Sequence, residues 1–179
     1  MVDVFVSYKK IDNSVDFSAL PKSVLEHCGK YKTEDKKLQS LNAWVLLNGL
    51  LLKVTGKDIS GYELSFSKRG KPFLNGVYIS LSHSNGVVAV GCSTANFGLD
   101  VEVCKNVEKY KAVADKLGVS LNDDFFLKWT EIESATKLND LFSTSNNLGV
   151  ISKSKFVNIG EYKTAISVSS NNEFNIVNI

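Results

Sequence analysis

Asp100 and Glu102 stand in the run Gly98-Leu99-Asp100-Val101-Glu102-Val103. In a strand, alternate side chains share a face. Leu99, Val101 and Val103 would then face a core, and both carboxylates would emerge together on the other side. Two like charges that close repel unless water or a cation separates them. A hard divalent ion with oxygen ligands is one resolution; the other is a half-exposed strand with a solvated acidic face. Trp129, Glu133 and Lys137 form a second group, spaced i, i+4, i+8 along one helix face. Glu133 and Lys137 also have the orientation of an ordinary surface ion pair, worth about 0.3–0.5 kcal/mol, and Trp129 taken singly reads as core. His83 closes the run Ser80-Leu81-Ser82-His83-Ser84, where it could donate to a phosphate or bond a local carbonyl. Arg69-Gly70-Lys71-Pro72 sets two cations around a glycine that permits close backbone approach. It suits a phosphate, or equally a solvated basic loop. His27 has no comparable setting and is assigned no role.

These groups must be carried by elements. Residues 2–8 read as a strand, with Val2, Val4 and Val6 on one parity. A short helical segment follows Pro21, at 23–28. From Asp35 the pattern is helical: Leu38, Leu41, Val45 and Leu52 form a stripe widened by Trp44, Leu47 and Leu51, and Gly56 ends it. Short strands are expected at 62–67, 77–83, 87–92 and 98–103. Asn85-Gly86 between two apolar runs is a strong hairpin signal, since both residues tolerate positive φ. Helices are expected from about Val107 to Leu117 and from Ser120 or Asn122 to Leu138. The stretch from Val150 to Ile179 alternates like antiparallel strands. The order predicts an α+β fold of two similar lobes, 1–96 and 97–179, each with a helix on a small antiparallel sheet.

Composition narrows the classes. The chain has 179 residues, a net charge of +2 and 44% hydrophobic residues, which fits a globular chain with a real core and disfavours a general nucleic-acid binder. Arg69 is the single arginine among 20 lysines, so bidentate anion recognition by arginine has one candidate. Cys28, Cys92 and Cys104 lack CxxC spacing and read as free thiols. The N-terminal apolar run is short for a signal peptide, and the longest apolar run, 50–52, is too short to span a bilayer. A cytoplasmic protein without membrane or nucleic-acid partners is expected. No P-loop, GxGxxG, HExxH or GxSxG pattern occurs.

Taken in order, Gly70-Lys71-Pro72, Ile79-Ser80-Leu81-Ser82-His83-Ser84, Gly98-Leu99-Asp100-Val101-Glu102 and Trp129-x-x-x-Glu133-Ser134-x-x-Lys137 resemble the 4'-phosphopantetheinyl transferase superfamily, of the surfactin-synthetase-activating type. The resemblance covers about residues 60–137. It implies two pseudo-twofold-related lobes in one monomeric chain, with the active site between them. It implies transfer of the phosphopantetheine arm of coenzyme A to a serine of an apo acyl or peptidyl carrier protein, releasing 3',5'-ADP. Asp100, Glu102 and Glu133 would hold Mg²⁺ against the pyrophosphate. Lys137 would contact the phosphates, and Glu133 would help deprotonate the serine. Arg69, Gly70, Lys71, Pro72, Ser82 and His83 would bind the nucleotide end. Ile132 stands where the family often has lysine, and Gln39 where it usually has arginine. A degenerate module that binds coenzyme A or carrier protein without transfer is the alternative, and a metal-dependent phosphate hydrolase using the same acidic trio is a second.

Overall fold

The computed structural model describes residues 1–103, 108–118, 120, 123–139, 153–159 and 164–179. Cys104, and the expected element starts at Val107, Asn122 and Val150, lie outside them. The chain is α+β. Strand β1 (Val2–Lys10) is followed by helices α1 (Lys22–Cys28) and α2 (Glu34–Thr55). Strands β2 (Leu64–Phe66), β3 (Pro72–Leu74), β4 (Tyr78–Ser84), β5 (Val87–Ser93) and β6 (Phe97–Val103) come next. Helices α3 (Lys111–Leu117) and α4 (Asp123–Leu138) precede β7 (Lys153–Ile159), β8 (Thr164–Ser170) and β9 (Phe174–Asn178).

The ends of α2 follow from its sequence. The Thr33 hydroxyl accepts the Lys36 N–H, Glu34 and Asp35 occupy the first turn, and Gly56 closes the helix at φ 75°. Its buried face is Leu41, Trp44, Leu47 and Leu51. Leu52, expected on the stripe, is 54% exposed. The widened stripe is broader than the contact, and the sheet beneath covers the arc centred on Trp44 and Leu47.

The first sheet has the order β4-β5-β1-β9. Its central hairpin turns at Asn85 (φ 44°) and Gly86 (φ 83°), as the dipeptide requires. The C-terminal segment departs from the expected all-antiparallel pattern: β9 pairs parallel with β1, Val4 opposite Ile176. The last strand of the chain therefore completes the sheet begun by the first. A three-stranded antiparallel sheet, β6-β8-β7, faces it.

The layers run α2, first sheet, second sheet, α4. Val88, Val90 and Cys92 of β5 pack under α2, while Val87 and Ala89 meet Leu99, Val101, Val103, Ile166 and Val168 between the sheets. Strand β5 is thus buried on both faces. The opposite face of β6 receives α4. A Cβ at Gly98 would lie 1.9 Å from the Ser134 carbonyl oxygen, so only glycine admits the helix at that distance. The Ser134 hydroxyl meets those of Ser167 and Ser169 on β8 at 3.0 and 2.7 Å. Small hydrogen-bonded side chains let the helix sit down on the sheet.

Candidate functional site

Edge strands β4 and β6 lie side by side, joined by side chains. On β4 the alternating Ser80, Ser82 and Ser84 are all buried. The Ser80 and Ser84 hydroxyls accept the Leu99 and Val103 N–H groups at 3.0 and 3.3 Å. Ser82 donates to Asp100 Oδ1 at 2.7 Å, and Ser84 donates to Glu102 Oε2. The serine alternation that flanks His83 is therefore a ladder that fixes the two carboxylates of β6.

A cavity of about 370 Å³ opens at this seam. Asp100 and Glu102 enter it from β6, Glu133 and Lys137 from α4, Ser82 and His83 from β4, and Gly70 and Pro72 from the basic loop. The close contact at Gly98 sets how near α4 brings its two side chains to the strand. Leu99, Val101 and Val103 are buried on the other face, as the alternation predicts.

Lys137 reaches beyond its own helix. Its ammonium reaches Asp100 Oδ1 at 2.7 Å and Ser82 Oγ at 2.8 Å. Asp100 is only 5% exposed, and its Oδ2 is buried without a hydrogen-bond partner. Buried Tyr110 senses the whole acidic group: burial first, then the charges of Glu102, Asp100 and Glu133, push its phenol pKa up. Trp129 lies outside the cavity lining and packs with Tyr110, Phe125 and Phe126.

His83 is held below its ordinary pKa by burial, and further by the charges of Lys137 and Lys36. It is a neutral imidazole at pH 7, facing the Tyr31 ring edge-on at 6.5 Å between centroids. His27, assigned no role on its spacing, also lines the cavity and stacks on Phe66 at 4.2 Å. Tyr31, Ser40 and Trp44 complete that wall. No spacing signal marks these residues, because α1, the following loop and α2 converge only through packing.

The basic loop divides. Gly70 adopts φ 86° and approaches His27. Arg69 is exposed. Lys71, expected at the nucleotide, binds the end of α4: its ammonium donates to the carbonyls of Lys137 at 2.7 Å and Leu138 at 3.2 Å, and to Asn96 Oδ1 at 3.4 Å. A cation there meets the unsatisfied carbonyls and negative dipole end of a helix. Ile132 is buried, and Gln39 donates to Asp35 at 2.6 Å.

Among the described residues, no group of three or more His, Cys, Asp or Glu side chains stands ready to hold a metal ion. The donor chemistry nevertheless suits a hard cation. Three carboxylates share one cavity, and one buried carboxylate oxygen has no partner. No helix among the described residues is long and apolar enough to cross a membrane.

Fold and site together define an α+β chain with a polar cleft where acidic, basic and aromatic side chains converge. No protein-family model matches the chain, and no curated protein matches it.

Proposed function

We propose that this chain is a Mg²⁺-dependent 4'-phosphopantetheinyl transferase. Coenzyme A would be the donor and a serine of an apo acyl or peptidyl carrier protein the acceptor. One observation carries the reading: the separated motifs behind the resemblance, on β4, β6, α4 and the 69–72 loop, all contribute to a single cavity. The finer fold follows the same reading. Each sheet with its helix is one of two pseudo-twofold-related lobes, 1–96 and 97–179, with β9 reaching back across the division. A cytoplasmic monomer is part of the proposal.

The residues divide the work. Asp100, Glu102 and Glu133 would hold Mg²⁺, which when bound neutralises pyrophosphate oxygens and so eases phosphoryl transfer. Lys137 binds the phosphates. Neutral His83 and Ser82 offer hydrogen bonds to the nucleotide end, and the His27–Phe66 stack with Tyr31 and Trp44 offers faces for a flat base. In the transfer the carrier serine oxygen bonds to the pantetheine-side phosphorus. The bond from that phosphorus to the bridging oxygen breaks, and 3',5'-ADP leaves with the electron pair. Glu133 accepts the serine proton.

The test is a mass measurement on several apo-carrier proteins with coenzyme A and Mg²⁺. The expected result is gain of the phosphopantetheine mass, lost in Asp100→Ala and in Glu133→Ala. Full activity in either variant refutes the site, and no gain on any carrier refutes the transferase. The contact of Lys137 with Asp100 favours a second reading, a module that binds coenzyme A without turnover. Calorimetric binding of coenzyme A with no mass gain selects it.

A further inference from the structure

We propose that Lys137 is the resident counter-ion of the carboxylate site, and that its ammonium and a divalent cation compete for Asp100. The proposal rests on reading the cavity as a cation and phosphate site, and concerns how that site is kept closed.

Asp100 is the most buried of the three carboxylates, and an unpaired charge there is costly. Its Oδ1 already accepts from Lys137 and Ser82, each at 2.7 Å. A divalent ion binds carboxylate oxygen at about 2.1 Å, so an ion on Oδ1 would displace the ammonium, and an ion on the buried, unpartnered Oδ2 would share the carboxylate with it against Coulomb repulsion. Either way the two cations compete for one carboxylate.

Lys137 is built to move without its helix. Its backbone is pinned, since Lys71 holds the Lys137 and Leu138 carbonyls and Asn96 Nδ2 donates to Leu138 at 3.0 Å. Its side chain is 31% exposed, against 6% for Asp100. Rotation of four methylenes suffices to take the ammonium into the cavity. An anionic phosphate there is a better partner than a carboxylate a cation has claimed. Cation and phosphate therefore favour each other's binding, and each binds poorly alone. Such a site does not fill with metal in the absence of its anion.

The experiment is Mn²⁺ binding to the intact chain without any anionic ligand, followed by electron paramagnetic resonance of the free ion. Wild type, Lys137→Met, Lys137→Gln and Lys137→Arg are compared, with circular dichroism confirming that each is folded. The Met and Gln variants are expected to bind Mn²⁺ at least tenfold more tightly than wild type, Arg to stay as weak as wild type, and Lys137→Met with Asp100→Asn to lose the gain. Equal Mn²⁺ affinity in wild type and both neutral variants overturns the counter-ion role while leaving the cation site standing. No Mn²⁺ binding by any of the proteins overturns both. The expected pattern without transfer to any carrier protein upholds the counter-ion and removes the transferase.

Discussion

Replacing Gly98 by alanine tests how the cavity is assembled. The added Cβ would sit 1.9 Å from the Ser134 carbonyl oxygen and 2.5 Å from the Leu138 nitrogen. Both are backbone atoms, so no side-chain rotation relieves the overlap. Real Cβ contacts essentially never fall below 3.0 Å, so α4 must retreat by about 1 Å against the steep repulsive wall. The retreat stretches the Ser134–Ser169 contact, now 2.7 Å, and the Lys137–Asp100 pair, also 2.7 Å. Forced overpacking of this kind costs about 3 kcal/mol. For a chain of this size each kcal/mol lowers Tm by about 2–4 °C, which gives a fall of roughly 6–12 °C. Circular dichroism of the two proteins on heating measures it. A Tm within about 1 °C of wild type would mean that α4 does not press on Gly98, and the geometry deduced for Glu133 and Lys137 would fail with it.

Lys71→Met leaves the carbonyls of Lys137 and Leu138 without their cation. The expected cost is about 1–2 kcal/mol, a drop in Tm of roughly 2–8 °C, with Lys71→Arg retaining part of it; an unchanged Tm in Lys71→Met would show that Lys71 does not stabilise that helix end. For His27 and His83 the pKa falls on folding, chiefly through burial, so the unfolded chain binds more protons once the pH drops below the ordinary value of 6.5. Stability from the neutral rings is complete above that pH and is lost as the pH falls through it toward the lower folded pKa. The double variant His27→Gln, His83→Gln should lose less stability than wild type between about pH 7 and 5 in urea unfolding; equal losses would show that both rings protonate freely in the folded chain.

Some of this molecule is written locally. Asn85-Gly86 demands left-handed backbone and so dictates a hairpin, and the α2 caps mark its ends within a residue of the expected ones. Alternation in 98–103 assigns Leu99, Val101 and Val103 to the core and the carboxylates to the opposite face. Those are properties of neighbouring residues, which is why a period of two or 3.6 reveals them. What the residues then meet is a different matter. Lys71 looks like a phosphate ligand beside Gly70 until α4 ends next to it and presents bare carbonyls. His27 gives no signal until Phe66 and the cavity arrive beside it. The strand β9 alternates as an antiparallel strand would, yet joins β1 in parallel, because alternation is the same in either direction. Lys137 reads as a helix-surface partner for Glu133 until Gly98 brings its helix within reach of Asp100. Sequence spacing determined which side chains share a face; only the tertiary structure decided which charges touch, since Coulomb forces depend on distance through space and neighbouring positions in the chain say nothing of it.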